Sequence, residues 1–165
     1  MIRVVLADDH ELIRRGLAAV LSEQPDITVC GVAETGEGAV SQAREQSPDV
    51  VLLDLSMPGE GGLAAAAEIL EEHLAAHAMI FTGHTAPELI RAAFAIGATG
   101  FVLKGTDAGE VVAAVRAVHR GEVWLSPEDA GVLAAELAVT APVIPLRPRG
   151  SGRRRRARWV RFPRS

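Results

Sequence analysis

Five short apolar runs alternate along the chain with longer amphipathic stretches, and this alternation restricts the fold more than any other feature. The runs are IRVVLA (2–7), ITVCGVA (27–33), DVVLLDL (49–55), AMIFTG (78–83) and GFVLK (100–104). The third and fifth barely alternate between apolar and polar residues, which suits parallel strands covered on both faces. The stretches between them carry helical spacing. Ile13, Leu17, Val20 and Leu21 recur at helical intervals, as do Leu63, Ala67, Leu70 and Leu74. Leu89, Ala93 and Ile96 mark a further helix with Pro87 in its first turn, and Val111, Val115 and Val118 mark the next. Pro25, Pro48 and Gly97 punctuate the joins. Strands and helices in this order, with short connections, predict an α/β fold: a doubly wound five-stranded parallel sheet with helices on both faces.

The polar residues fall at telling places on that scheme. Asp8 and Asp9 end the first strand, Asp54 the third, Thr82 the fourth and Lys104 the fifth. In doubly wound sheets, ligands bind outside the carboxyl ends of the strands. Three carboxylates, a hydroxyl and an ammonium therefore converge on one pocket. Adjacent carboxylates repel, so Asp8 and Asp9 call for a counter-charge. A carboxylate cluster favours a hard cation with oxygen ligands, most simply Mg²⁺. His10 and His84 are read as loop residues rather than ligands. A divalent ion, a lysine and a hydroxyl together suit a phosphoryl group, whose oxygens they would balance. Asp54 is then either a third metal ligand or a nucleophile able to carry phosphate as an acyl phosphate.

Composition narrows the surroundings. Among 165 residues, 48% are apolar, enough for a packed core. Cys30 is the one cysteine, so an intramolecular disulfide and a cysteine-built metal site are both excluded, which fits a reducing cytosol. The N-terminus turns acidic after a few residues, unlike a secretory leader. No apolar run approaches the roughly 18 residues needed to span a bilayer, so a cytoplasmic protein without membrane contact is expected. Charge is unevenly placed: all 21 acidic residues precede position 141, and nine of the 17 basic residues follow it.

ADDH, LLDLSMPGEGG, FTG and GFVLK, in this order at successive strand ends, resemble the receiver domain of two-component response regulators. The wording of VVLADDHELIRRGL and AVHRGEVWLSP is similar to the NarL/FixJ (LuxR-type) branch. The resemblance covers residues 2 to about 138. It implies a flavodoxin-like and CheY-like sheet in the order 2-1-3-4-5. It also implies that Asp54 accepts phosphate from the phosphohistidine of a sensor histidine kinase. Asp9 would ligate Mg²⁺ directly and Asp8 through water, with Asp54 and the Ser56 backbone carbonyl completing the protein's share. Lys104 would contact the phosphoryl oxygens. Thr82 would swing toward the phosphate and Phe101 would turn inward behind it, while Gly83 keeps phosphate access open. Ser56 and His84 would modulate phosphate lifetime. Such a protein is a switch rather than an enzyme, at most slowly removing its own phosphate, with output through a phosphorylation-enhanced homodimer or through binding a partner.

Two departures stand out. The acid that precedes the second glycine in the family's loop is replaced by Gly61. The family branch also continues into a helix-turn-helix domain, and no such pattern follows here, which makes DNA binding doubtful. The expected organisation is a receiver over 1–120, a linker helix over 121–138 opened by Ser126 as cap and Pro127, and an Arg/Pro-rich disordered tail over 139–165. Leu133 and Leu137 would face the body. The tail reads as a truncated or frameshifted output domain. The alternative function is nucleic-acid binding through the arginine-rich tail, with Trp159 and Phe162 stacking on bases. A Mg²⁺-dependent hydrolase is a further reading, but no general base is evident.

Overall fold

The computed structural model describes residues 1–84 and 86–140. The elements run β1 (Ile2–Ala7), α1 (Glu11–Ser22), β2 (Ile27–Ala33), α2 (Gly36–Gln46), β3 (Val50–Leu53) and α3 (Gly61–Glu71). They continue with β4 (His77–Thr82), α4 (Pro87–Ala95), β5 (Gly100–Leu103), α5 (Ala108–His119), β6 (Trp124–Leu125) and α6 (Pro127–Thr140). The sheet order is β2-β1-β3-β4-β5-β6, parallel throughout. The expected 2-1-3-4-5 order is present. A sixth strand extends it, pairing Gly100 with Trp124 and Phe101 with Leu125. Two residues are too few to show a periodicity, and the linker helix expected over 121–138 begins only at Pro127, after this strand.

Side-chain alternation divides the interior into two layers. Val4, Leu6, Leu52, Met79, Phe81 and Val102 point to one face, where Leu17 and Leu21 of α1 and Val111, Val115 and Val118 of α5 cover them. Val5, Ala7, Val51, Leu53, Ile80 and Phe101 point to the other, under α2, α3 and α4. All four residues of β3 are buried, which is why its sequence lacks polar alternation. Each large aliphatic side chain so enclosed stabilises the fold by about 1.5–3 kcal/mol.

In two helices the stripe read off the sequence packs against the core without being the most buried face throughout. In α3 the buried residues are Gly62, Ala65, Ala66 and Ile69, while Leu63 and Leu70 are half-buried and Leu74 lies past the helix end. An alanine-rich helix seats on its small side, because small residues let its backbone approach the sheet. In α4, Ile90 and Ala93 are buried and Leu89 is less so.

The α6 helix packs against α4. Leu125 and Leu133 join the layer that contains Ile90, Ala93 and Phe101. Its start is fixed by a reciprocal cap: the Asp129 N–H donates to Ser126 Oγ at 3.1 Å, and Ser126 Oγ donates to Asp129 Oδ2 at 2.6 Å. The expected tail, with Trp159 and Phe162, lies outside the described residues, as does the side chain of Leu137.

Candidate functional site

The carboxyl edge of the sheet gathers the strand-end residues as their positions required. Asp8 follows β1, Asp54 follows β3, Thr82 ends β4 and Lys104 follows β5. Asp8, Asp54 and Thr82 are all within 1% of complete burial. Two buried carboxylates without compensation would be strongly disfavoured. The Lys104 ammonium answers both, at 2.7 Å from Asp54 Oδ2 and 2.8 Å from Asp8 Oδ2. Its approach to Asp54 is a directed hydrogen bond, whereas that to Asp8 Oδ2 is oblique and leaves this oxygen without one. Burial pulls the lysine's proton affinity down, but hydrogen bonding and attraction from Asp54 and Asp8 outweigh it and hold the ammonium above the ordinary lysine range.

The second oxygen of Asp54 accepts the Ser56 N–H at 3.2 Å. Thr82 Oγ1 accepts the His84 N–H at 3.3 Å. A cleft of about 240 Å³ opens over the acids, lined by His10, Ile13, Asp54, Ser56, Gly83, His84 and Lys104. A Cβ added at Gly83 would meet nothing within 4 Å, so that flank of the cleft is open.

Asp8, Asp9, His10 and Asp54 each place one ligand-type atom within 4.8 Å of the others. Three carboxylates and a buried Asp8 oxygen lacking a directed hydrogen bond form a donor set that fits a hard divalent cation. His10 lies in the loop before α1, as expected, and its ring sits beside the acid pair. Its Nδ1 lies 2.9 Å from Asp9 Oδ1 and 3.3 Å from Asp8 Oδ1, and its N–H donates to Asp8 Oδ1 at 2.8 Å.

Phe101 is fully buried, with its strand partner Leu125 and with Ile90 and Ala93 of α4 in the same layer. Its ring already occupies the interior in this structure.

Two further residues matter and were missed. Arg14 of α1 is 8% exposed, and its guanidinium donates to the Asp8 carbonyl at 2.7 Å. Gly62, in the first turn of α3, lies directly beneath Asp54: a Cβ there would fall 1.8 Å from the Asp54 carbonyl oxygen. Gly61, where the resemblance led one to expect an acid, has a φ of +80°, a backbone region that favours glycine.

A family model described as the response regulator receiver domain matches residues 4–116. The chain belongs to the response regulator receiver domain family. The match contains each of the strand ends that build the site. This receiver is 40% identical over 137 residues to the transcriptional regulatory protein LiaR of Bacillus subtilis, covering 83% of this chain and 65% of that protein. It is 40% identical over 134 residues to the response regulator UvrY of Escherichia coli, covering 81% of this chain and 62% of that protein. The matches therefore span less than two thirds of the length of these relatives. Among solved structures, the receiver resembles a two-component response regulator of the LuxR family from an Aurantimonas species. That likeness has a TM-score of 0.79 at 35% identity and covers 84% of this chain and 99% of the other. It also resembles the signal receiver domain of the response regulator NarL from Mycobacterium tuberculosis, with a TM-score of 0.70 at 34% identity, covering 73% and 98% of the two chains. Receiver domains of this family are phosphoacceptor signalling domains. Among the described residues, no helix is long and apolar enough to cross a membrane.

Proposed function

We propose that Asp54 is the phosphoacceptor of a signalling switch fed by a sensor histidine kinase. The observation that carries this reading is the placement of Asp54: buried, opening onto the cleft, and hydrogen-bonded to Lys104 at 2.7 Å. An Asp54 carboxylate oxygen attacks phosphorus, a P–O bond forms, and the P–N bond of the donor phosphohistidine breaks as its imidazole leaves. Lys104 neutralises the developing charge on the phosphoryl oxygens, and Ser56 and Gly83 border the cleft. Asp8, Asp9, Asp54 and the Ser56 carbonyl would hold Mg²⁺, which supplies further charge neutralisation at the phosphoryl oxygens. Thr82 turns toward the phosphoryl group, and Phe101 and α4 respond to its movement. His84 and Ser56, at the rim of the cleft, set access for water and hence phosphate lifetime.

Residues 1–120 form the receiver unit, and residues 121–138, which carry β6 and most of α6, form a linking segment seated upon it. Output runs through self-association enhanced by phosphorylation. The test is mass addition at Asp54 when the full chain is incubated with Mg²⁺ and a small acyl-phosphate donor. Uptake on the wild-type chain and none on Asp54→Asn is expected. Equal uptake by both would overturn the assignment. Sedimentation with and without phosphate should show a dimer favoured by phosphorylation.

A further inference from the structure

Arg14 stands apart from the other arginines of the described residues. An arginine on a surface helix ordinarily extends its head into water, and its neighbour Arg15 does so, with 77% of its side chain exposed. The Arg14 side chain is only 10% exposed. Its guanidinium forks between two loops at the carboxyl edge of the sheet. One nitrogen donates to the Asp8 carbonyl at 2.7 Å, and the other pairs with Glu34 Oε1 at 2.5 Å, just past the end of β2. The turn it grips is the one that carries the acid pair. That turn has two further anchors: the Asp8 N–H donates to the Ala33 carbonyl at 3.2 Å, and the His10 N–H returns to Asp8 Oδ1 at 2.8 Å.

We propose that Arg14 is a positioning residue for divalent-metal binding, which acts by holding the Asp8–Asp9 peptide rather than by its charge. The inference rests on the reading of Asp8, Asp9 and Asp54 as a Mg²⁺ site. A small, hard cation demands near-ideal ligand placement, so a turn that can rotate by a few tenths of an ångström loses affinity. The Asp8 carbonyl is the hinge between the buried Asp8 side chain and the more exposed Asp9 side chain. Fixing it fixes the angle between the two carboxylates. Groups that orient metal ligands in this indirect way typically change affinity by about 10–100-fold when removed.

The sign of the effect separates positioning from electrostatics. Arg14 is a cation near a cation site. By Coulomb repulsion alone, its removal would tighten Mg²⁺ binding. By positioning, its removal weakens it.

The experiment titrates Mg²⁺ against the thermal midpoint of the full chain and extracts a dissociation constant for wild type, Arg14→Met and Arg14→Lys. Methionine fills the same space without donors. Arg14→Met should raise the Mg²⁺ dissociation constant about tenfold, and the Mg²⁺ concentration that half-saturates phosphate uptake should rise by about the same factor. Arg14→Lys keeps the charge and one donor direction and should recover part of the loss. It also carries the test if the methionine variant does not fold. A melting temperature that falls while the Mg²⁺ dissociation constant is unchanged would mark Arg14 as merely structural and overturn the proposal, as would tighter binding. A wild-type chain with no Mg²⁺-dependent shift would overturn the metal-site reading itself, a result distinct from either.

Discussion

The Lys104 ammonium lies 2.7 Å from Asp54 Oδ2, and in the absence of a metal it is the closest counter-charge to both buried carboxylates. Removing it leaves Asp8 and Asp54 enclosed and unneutralised. Lys104→Met should destabilise the metal-free protein by about 3 kcal/mol, the scale for breaking one side of a buried ion pair. Because the folded lysine holds its proton more tightly than the unfolded one, its contribution is fully present below the ordinary value of 10.5. It fades as pH rises through the raised folded value. Urea unfolding with and without Mg²⁺ checks the first point: added Mg²⁺ should narrow the gap between variant and wild type.

Asp9 contributes a carboxylate to the cluster, and its side chain is 30% exposed. Asp9→Asn removes one charge from three crowded acids. The metal-free variant should be at least as stable as metal-free wild type, because like-charge repulsion is relieved. Its Mg²⁺-induced rise in melting temperature should be much smaller. Equal shifts in the two proteins would remove Asp9 from the metal site.

Gly62 leaves no room for a side chain beneath Asp54, the proposed acceptor. Gly62→Ala must push α3 away from the Asp54 backbone, since the added carbon would overlap the carbonyl oxygen and come within 2.7 Å of its carbon. Overpacking of this kind costs about 1–3 kcal/mol, and rigid backbone on both sides places this site at the upper end. Chemical denaturation measures the loss. Phosphate uptake should slow as well, because the backbone being moved carries Asp54, the proposed acceptor.

Far from the site, Arg116 grips Asp26 with two hydrogen bonds, of 2.8 and 2.6 Å. The Arg116 hydrogen bond holds the Asp26 carboxyl below its ordinary value of 3.8. A lowered folded value means that the pair stabilises the protein above that ordinary value. The benefit is lost as pH falls through the folded value. Asp26→Asn should therefore flatten the acid limb of the stability curve below about pH 4 while lowering stability modestly near neutrality. Urea midpoints measured across acidic pH test this.

The strand-end residues were legible because position alone decides them. Once five parallel strands are placed, Asp54, Thr82 and Lys104 have nowhere to go but one edge. Arg14 was not legible in the same way. Two arginines stand side by side on α1, and only packing against the β1 and β2 ends selects which one turns inward. His10 adjoins the acids in sequence, yet whether its ring turns over them is decided by a side-chain rotation that no periodicity records. Gly62 gains its importance from a helix meeting a backbone carbonyl eight residues earlier, a distance that exists only in the folded chain. The α3 stripe was misjudged for a related reason. Where seven of eleven positions are alanine, leucine or isoleucine, periodicity no longer marks one face clearly, and shape complementarity chooses.

The covering of Phe101 by β6 and α6 has a mechanical consequence. A helix of 14 residues is about 21 Å long. Its first turn is pinned near Phe101 by the Ser126 cap and the Leu125 pairing. Seated in this way, α6 would act as a lever whose short end meets the interior layer behind the Asp54 cleft. A tilt of about 5° at the pinned end, smaller than ordinary scatter in helix packing angles, carries the far end through about 2 Å. Residue 140, at the far end of the described helix, would thus magnify displacements at Phe101 that would pass unnoticed in the core.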